Sequence, residues 1–236
     1  HFYEFGNDSG TDEKSLIAQT RSVFTYSQAY RHGFGGPIMK EMAEHGVKFL
    51  LEKMWDTQHG GFYWMTDRAG NPTNKQKIGY GHSFAIYSLS EYTLATGDPI
   101  GLEYAEKVFD LLQKHAVDTF HGGYWEFFDE DWTLMGPGSP GGDRKTLDVH
   151  MHLMEAFTTL YEASGKSLHR RKLEEVIEIL IHKIMHPKTG TGIPQFWANW
   201  EVAPQIKFDI VWGWDRFADG GQKASSTDNT SYGHNA

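Results

Sequence analysis

The sequence predicts an all-α fold, a toroid of helical hairpins with short β-hairpins in the connecting loops. Three observations lead to this prediction. A short aromatic and glycine-rich segment recurs along the chain, each interval between copies has room for two helices, and those helices alternate between charge-poor and charge-rich. We expect residues 1–236 to form one domain of this kind, because a chain of this length can bury a single large core.

The recurring segment is a short aromatic strand that leads into a turn rich in Asp, Asn and Gly, which is typical of a β-hairpin. Two copies are closely similar, one beginning at Gly60 and ending at Trp64, the other beginning at Gly122 and ending at Trp125. Looser copies lie at residues 2–10 and 192–199. Such internal similarity indicates a repeat architecture.

The segments between the copies alternate in charge. Three of them contain one, one and two charged residues: 15–30, 78–96 and 146–161. The segments that follow each of these contain six, five and seven: 38–53, 99–114 and 168–183. A helix that is apolar nearly all round is buried, whereas a two-faced helix lies on a surface. The order therefore predicts an inner and an outer ring of helices. A helical solenoid is the alternative, but it does not require inner helices so poor in charge.

Composition argues against several classes of protein. The formal net charge is −9 and no long Lys- or Arg-rich run occurs, which disfavours a surface for nucleic acid or an anionic membrane. No apolar stretch is long enough to span a bilayer, and no signal peptide is visible. The chain has no Cys for a disulfide framework or a thiolate metal site, and a cytoplasmic location fits. Both ends, His1 and Ala236, look cut, so we expect an incomplete barrel.

Aromatic residues make up 14% of the chain. Such side chains often form a core, and they also bind sugars, because the C–H face of a pyranose packs on an indole or phenol ring. Trp64 and Trp125 occupy the two closely similar copies of the repeat. They are therefore candidate sugar contacts.

The few charges on the inner helices mark further candidates, because a buried charge is costly unless it is paired or used. Arg21 is either a cation that reaches the rim or pairs with a carboxylate, or a fixed cation suited to an oxyanion. Asp148, His152 and Glu155 share one helix face, where His152 is a candidate acid/base or a hydrogen-bonding group for substrate hydroxyls. His150 points the opposite way and is predicted to be a core histidine. Because the two imidazole rings diverge, we predict no metal site.

A Tyr-Gly-His element opens two inner helices, at Tyr80 to His82 and at Tyr232 to His234. Residues at the starts of inner helices surround the mouth of a toroid, so this recurrence favours a role in a site at the mouth. The alternative is that a single His at a helix start is a cap or a surface residue.

Four stretches resemble the N-acylglucosamine 2-epimerase superfamily, which includes cellobiose 2-epimerase, mannose 2-epimerase and mannose isomerase-type enzymes. They are RSVFTYSQAY from Arg21, GYGHSFAIYSLSEY from Gly79, DVHMHLMEAFTTLY from Asp148 and TSYGHN from Thr230. The four occur in the family's order across essentially the whole chain. The resemblance implies an (α/α)6 barrel of which this chain would lack the first helix and several C-terminal helices.

The resemblance also implies roles for individual residues. It assigns Arg21 to the O1/O2 region of the sugar, Tyr80 to substrate contact, and His152 to the histidine of the H-x-x-E-A helix. His234 matches one of two general acid/base histidines. Asp148 stands where the cellobiose enzymes have Asn, and we place it among the sugar-binding residues. The second catalytic histidine and the glutamate expected three residues after His234 fall outside the chain.

The implied reaction begins when a histidine removes the C2 proton of a ring-opened aldose to form an enediolate. Arg21 and His152 would stabilise the developing oxyanion. Return of a proton to C2 on the opposite face gives the epimer, and return to C1 gives a ketose. The reaction needs no metal or redox cofactor. The expected partner is a small-molecule sugar, whose identity the sequence leaves open together with the oligomeric state.

Two other functions remain open at this point. A glycoside hydrolase on the same toroid would need two carboxylates that flank the glycosidic bond. Asp148 and Glu155 are the candidates, but both come from one helix and cannot readily bracket a bond. A non-catalytic carbohydrate- or protein-binding module would use the aromatic residues without requiring Arg21 or His234.

Overall fold

A computed structural model describes residues 12–210, which form three successive helical hairpins. The six helices are α1 (Leu16–Arg31), α2 (Pro37–Phe49), α3 (Gly79–Thr96), α4 (Pro99–His115), α5 (Leu147–Ser164) and α6 (Ser167–Ile179). π-Helical turns extend α2 and α6 over Leu50–Met54 and Leu180–Ile184. α1 packs on α3 and α3 on α5, whereas α2, α4 and α6 each pack on the helix that precedes them. The predicted alternation of inner and outer helices is confirmed.

The helix ends follow local sequence signals. The Ser15 hydroxyl accepts a hydrogen bond from the Ala18 N–H and so caps α1. Asp98 caps α4, which has a proline at its first position. Gly97 and Gly165 end α3 and α5 with φ angles of 75° and 65°, which glycine adopts without steric cost. None of the helices among the described residues is long and apolar enough to cross a membrane.

An ion-pair network joins the three inner helices at their C-terminal ends. Glu91, the one charged residue of α3, is 1% exposed and lies 3.0 Å from an Arg31 guanidinium nitrogen. The other terminal nitrogen of Arg31 lies 2.5 Å from the Glu162 carboxylate on α5. A buried carboxylate is tolerated when a cation and hydrogen bonds compensate its lost hydration. The arrangement therefore explains the single charge that the buried helix retains.

Within the described residues, three small antiparallel sheets lie at the starts of the inner helices. They pair β1 (Lys14–Ser15), β2 (Met65–Thr66) and β3 (Pro72–Asn74) in that order, β4 (Lys77–Ile78) with β5 (Phe127–Phe128), and β6 (Arg144–Thr146) with β7 (Gln195–Trp197). In each sheet, the strand before an inner helix pairs with the strand after the outer helix of the same hairpin. Each pairing therefore closes a helical hairpin at its open end, opposite the short turn that joins its two helices.

The β-hairpins predicted from the repeat are present in three of its copies. β2 and β3 form one directly, and single antiparallel bridges form the others, between Phe128 and Leu134 and between Phe196 and Val202. The predicted copy at residues 2–10 lies outside the described residues. The pairings of β4 with β5 and of β6 with β7 were not predicted, because each joins segments about fifty residues apart along the chain.

A four-residue joint fastens the loop of the first hairpin to the second hairpin. We call Asp56, Lys77, His82 and Trp132 the first joint. Lys77 Nζ lies 2.8 Å from Asp56 Oδ2, and both side chains are fully buried. His82 Nε2 accepts a 3.0 Å hydrogen bond from the Phe62 N–H, and the Trp132 indole donates to the loop backbone at 3.2 Å. These bonds satisfy polar groups that are enclosed between the hairpins.

The second joint repeats this design with Asp118, Lys145, His150 and Trp200. Lys145 Nζ donates to Asp118 Oδ2 at 2.7 Å and to two backbone carbonyl oxygens at 2.6 and 2.7 Å. His150 Nε2 accepts from the Tyr124 N–H at 3.0 Å, and the Trp200 indole donates to a backbone carbonyl at 2.9 Å. The first hairpin is therefore connected to the second, and the second to the third, by the same set of contacts.

The double glycines of the repeat make room for these joints. At Gly123, φ is 82°, and an added Cβ would lie 2.5 Å from the Trp200 ring and 2.8 Å from His150 Nε2. Gly61 has a φ of 76° and makes the same close approach to Trp132 and His82. A side chain at either position would displace the joint and strain the backbone.

Candidate active site

Three of the residues predicted to form a site converge near the starts of the inner helices. The Arg21 guanidinium of α1 lies 4.6 Å from the centroid of the Phe84 ring on α3. The Phe84 ring is 4.6 Å from the His152 ring and 5.1 Å from the Tyr80 ring, and Tyr80 and His152 are 4.9 Å apart. We call these four residues the wall. Phe84 was not predicted, because a phenylalanine on an apolar helix gives no signal of its own.

The wall consists of one exposed cation and three closely packed rings. Arg21 is exposed, whereas Tyr80, Phe84 and His152 are only 8%, 5% and 7% exposed. Burial raises the pKa of the Tyr80 hydroxyl, and the Arg21 charge opposes that shift. The phenol therefore stays neutral at working pH and can donate a hydrogen bond. A guanidinium above aromatic rings suits a polar ligand that has an apolar face.

His152 is held by a carboxylate on its own helix. Its Nδ1 lies 2.8 Å from Glu155 Oε2. The predicted shared face of His152 and Glu155 on α5 is thereby confirmed. When Nδ1 carries the proton and donates a hydrogen bond to this carboxylate, the neutral ring has its lone pair at Nε2. Such a carboxylate fixes both the tautomer and the orientation of the imidazole.

Asp148 occupies the first turn of α5, four residues before His152, and its side chain is half-buried. Thr146 caps this helix by accepting a hydrogen bond from the Val149 N–H at 3.2 Å. The N-terminus of a helix stabilises a nearby anion. Asp148 therefore provides a carboxylate at the starts of the inner helices, and its contact with a sugar stays a prediction.

A second carboxyl group lies beneath this turn. Glu126 is 1% exposed and accepts a short hydrogen bond from the Thr146 hydroxyl. Burial raises the pKa of Glu126 to about 8, the bond from Thr146 opposes the shift, and the charge of Asp148 adds to it. Sequence analysis missed Glu126, since its position in a loop gives no indication that it is buried.

The aromatic surface continues one helical turn further along α1 and α3. Phe24 stacks on Tyr87 with ring centroids 3.9 Å apart, and Tyr87 contacts Phe84 at 6.2 Å. Burial raises the pKa of Tyr87 to about 12, and the charges of Glu155 and Glu91 act in the same direction. The wall and this pair together form a continuous aromatic surface on the inner helices.

The structure places the two candidate tryptophans differently. Trp64 is fully buried, and an added Cβ at Gly81 of α3 would lie 2.7 Å from its ring. A side chain without exposed surface packs against its neighbours and contacts a ligand only after rearrangement. Trp125 is half-buried, with the Lys145 ammonium 5.2 Å from its ring centroid, so it flanks the second joint. Sugar contact by either residue stays a prediction.

His234 lies outside the described residues, and the structure of the first Tyr-Gly-His element changes the argument for it. Tyr80 belongs to the wall, but His82 is fully buried in the first joint, and burial lowers its pKa to about 3. His82 is thus neither a cap nor a surface residue. The recurrence of Tyr-Gly-His therefore gives no independent support for a catalytic His234, which depends on the family resemblance alone.

His150 and His152 lie on different sides of α5. His150 is fully buried in the second joint, and burial lowers its pKa to about 4, which confirms the prediction of a core histidine. His152 belongs to the wall, so the predicted divergence of the two rings is also confirmed. Within residues 12–210, no three or more His, Asp or Glu side chains are grouped so as to hold a metal ion.

Several known proteins are similar to this chain in sequence. The family model for N-acylglucosamine 2-epimerase (GlcNAc 2-epimerase) matches residues 2–221. Cellobiose 2-epimerase of Bacteroides fragilis is 33% identical over 217 residues, which cover 88% of this chain and 54% of that protein. D-mannose isomerase of Marinomonas mediterranea is 29% identical over 178 residues, which cover 73% of this chain and 43% of that protein.

A solved structure of cellobiose 2-epimerase from Spirochaeta thermophila superposes with a TM-score of 0.76 at 32% identity, over 84% of this chain and 50% of that one. This likeness confirms the predicted (α/α)6-barrel fold, to which the described residues contribute three hairpins. The chain spans about half the length of the curated relatives it matches.

Proposed function

The chain belongs to the N-acylglucosamine 2-epimerase family, and on that premise we propose that the protein is a sugar 2-epimerase or aldose–ketose isomerase acting at C2 of a reducing-end aldose. The substrate class that we propose includes cellobiose and mannose, because relatives are named for these sugars. The observation that carries the proposal is the wall, in which a cation, a phenol and an oriented imidazole meet beside an aromatic ring.

Each residue of the wall has a role in this chemistry. Arg21 donates to the sugar's O1/O2 region, where negative charge develops when C2 loses its proton. His152, oriented by Glu155, accepts a hydrogen bond at Nε2 from a sugar hydroxyl and so positions the substrate. Tyr80 donates to a substrate hydroxyl, and the Phe84 ring holds the Arg21 guanidinium by a cation–π contact. The interaction with Arg21 strengthens as the enediolate forms, which is the condition for catalysis.

Asp148 and His234 complete the proposed site. Asp148 accepts a hydrogen bond from a sugar hydroxyl, as a carboxylate can where an amide would both donate and accept. His234 is the proposed acid/base that exchanges the C2 proton, an assignment that rests on the family resemblance. Neither the oxidation level nor the charge of the sugar changes overall, so the reaction needs no redox cofactor.

Isotope incorporation tests the function directly. The intact protein is incubated in D2O with cellobiose, with mannose and with N-acetylglucosamine, and the products are analysed by NMR. Deuterium at C2 of an epimerised sugar supports the epimerase, and deuterium at C1 of a ketose supports the isomerase. Cleavage of cellobiose without exchange would instead indicate a glycoside hydrolase. Binding without any chemical change would indicate a carbohydrate-binding module.

A further inference from the structure

Among the buried acidic side chains of residues 12–210, Glu126 differs from Asp56, Glu91 and Asp118, which each form a salt bridge with a cation. Glu126 is 1% exposed and lies between the starts of α3 and α5. Its backbone carbonyl accepts a 2.7 Å hydrogen bond from the N–H of Gly79, the first residue of α3, and its side chain bonds to Thr146, the cap of α5. One residue therefore contacts both helices that carry the sugar-binding side chains.

The three segments meet closely at this point. A Cβ added at Gly79 would lie 3.0 Å from a Val149 methyl group and 3.4 Å from the Glu126 Cα. Packing this tight transmits a displacement of one segment to its neighbours. A shift of the Glu126 side chain would therefore move Thr146 and the first turn of α5, which carries Asp148.

The surroundings favour the neutral form of Glu126. In the part of the chain that the structure describes, the titratable side chains that act on it or respond to it are Asp148 on α5 and Tyr80 on α3, and neither is a cation.

The cations of the neighbouring strands are bound elsewhere. Lys77 on β4 bonds to Asp56, and Lys145 on β6 bonds to Asp118. Arg144 on β6 donates to a backbone carbonyl oxygen at 2.8 Å. An ionised Glu126 would consequently place a buried negative charge near the half-buried Asp148, without a salt bridge to any cation of residues 12–210, which is strongly unfavourable.

We infer that Glu126 is a positioning residue of the sugar site: as a neutral carboxylic acid bonded to Thr146, it fixes the first turn of α5 and thereby the position of the Asp148 side chain. This inference rests on the proposed function. The pKa of about 8 that burial gives Glu126 agrees with a neutral group at pH 7.

Thermal unfolding at several pH values tests the protonation state without any sugar. A carboxyl group whose pKa is raised by folding stabilises the fold fully below its unfolded pKa, and this contribution is lost as pH rises to the folded pKa. The melting temperature of the wild type should therefore fall relative to that of Glu126→Gln between about pH 5 and 8. The difference should reach roughly 5 °C at pH 8.5. Glu130→Gln, in the same loop but in a surface ion pair with Lys75, should parallel the wild type.

Kinetics at several pH values test the positioning role. In the wild type, KM should rise about tenfold between pH 7 and 9 as Glu126 ionises, whereas kcat should change less. In Glu126→Gln, KM should stay constant over this range, because the amide remains neutral. Thr146→Val removes the bonded hydroxyl, so this second variant should raise KM at every pH.

The outcomes separate the two proposals. Parallel melting curves for wild type and Glu126→Gln would overturn the neutral acid. A melting difference as expected, combined with an identical KM profile in both proteins, would overturn the positioning role. If the wild type converted no sugar at all, the proposed function would fail, while the melting curves would still decide the protonation state of Glu126.

Discussion

The fourth residues of α3 and α5 are both histidines and make the same contacts. Nδ1 of His82 lies 2.8 Å from the Ile78 carbonyl, and Nδ1 of His150 lies 2.7 Å from that of Thr146. In both, Nε2 accepts a backbone N–H from the loop of the preceding hairpin. The two positions carry the same residue because the same joint is built twice.

The wall-facing positions of the same two helices differ. The second residues of the helices are Tyr80 and Asp148, and the sixth residues are Phe84 and His152. The Tyr80, Phe84 and His152 rings contact one another, and the charge of Asp148 acts on Tyr80, so the two helices bring different groups to the same place. In this fold, the helix positions that carry the same residue in successive hairpins build the scaffold. The positions that carry different residues lie at the candidate site.

The largest effect that we predict concerns the second joint. Lys145→Met leaves Asp118 buried without its cation, which should cost about 3–5 kcal/mol of unfolding free energy. Lys75→Met is the matched control, because Lys75 pairs with Glu130 at the surface and should contribute less than about 1 kcal/mol. Chemical denaturation of both variants measures the difference. Equal stability of the two would show that the joint is not a principal connection between hairpins.

The next largest effect concerns the wall and should appear in catalysis alone. Arg21→Ala removes the cation from the site of the developing oxyanion, so kcat/KM should fall about a hundredfold, equivalent to roughly 2.7 kcal/mol in the barrier. Its melting temperature should change little, because Arg21 is exposed. Arg68→Ala, at an exposed arginine with only a 3.8 Å contact to Asp12, is the matched control. Near-normal turnover by Arg21→Ala would remove this residue from the mechanism.

The order of the helices was predictable from the sequence because it depends on a local quantity. Burial of a charge is costly wherever the residue lies, so counting charges in each segment separated the inner helices from the outer ones. The joints depend instead on which buried residues meet across the chain. Each joint aspartate lies four residues before a double glycine, and each joint lysine lies five residues before a joint histidine. That shared spacing was a usable signal.

The candidate site was predictable only where a residue looked out of place on its helix. Arg21 and His152 were identified because they are titratable side chains on helices that carry few charges. Phe84 and Glu126 were missed because an apolar residue on an inner helix and an acid in a loop are both ordinary. Trp64 is the opposite case: aromatic content marked it as a candidate, but aromatic content alone does not distinguish a buried ring from an exposed one, and the Trp64 ring is fully buried.

The joint histidines should make stability depend on acidity. Burial lowers the pKa of His82 to about 3, so it stays neutral in the fold while the unfolded chain takes up a proton below about pH 6.5. Its contribution is present above pH 6.5 and is lost as pH falls towards 3, with a loss of roughly 2 kcal/mol at pH 5.

Melting of wild type and His82→Gln between pH 4 and 8 tests this dependence, because Gln can accept the same N–H without titrating. The wild type should lose stability faster on acidification, and His150→Gln should behave as His82→Gln does. His182, an exposed histidine paired with Glu178, supplies the control His182→Gln, which should follow the wild type. If the melting temperatures of the two joint variants depended differently on pH, the two joints would not be equivalent.

The smallest effect should come from a single hydroxyl of the wall. Tyr80→Phe keeps the ring that contacts Phe84 and His152 and removes only the group that donates to the sugar. We expect KM to rise about fivefold to tenfold, equivalent to roughly 1 kcal/mol, with kcat less affected. Tyr104→Phe on the outer helix α4 is the matched control and should leave KM unchanged. An equal effect of the two substitutions would mean that the Tyr80 hydroxyl does not reach the substrate, and the wall would then recognise the sugar through Arg21, His152 and the aromatic faces.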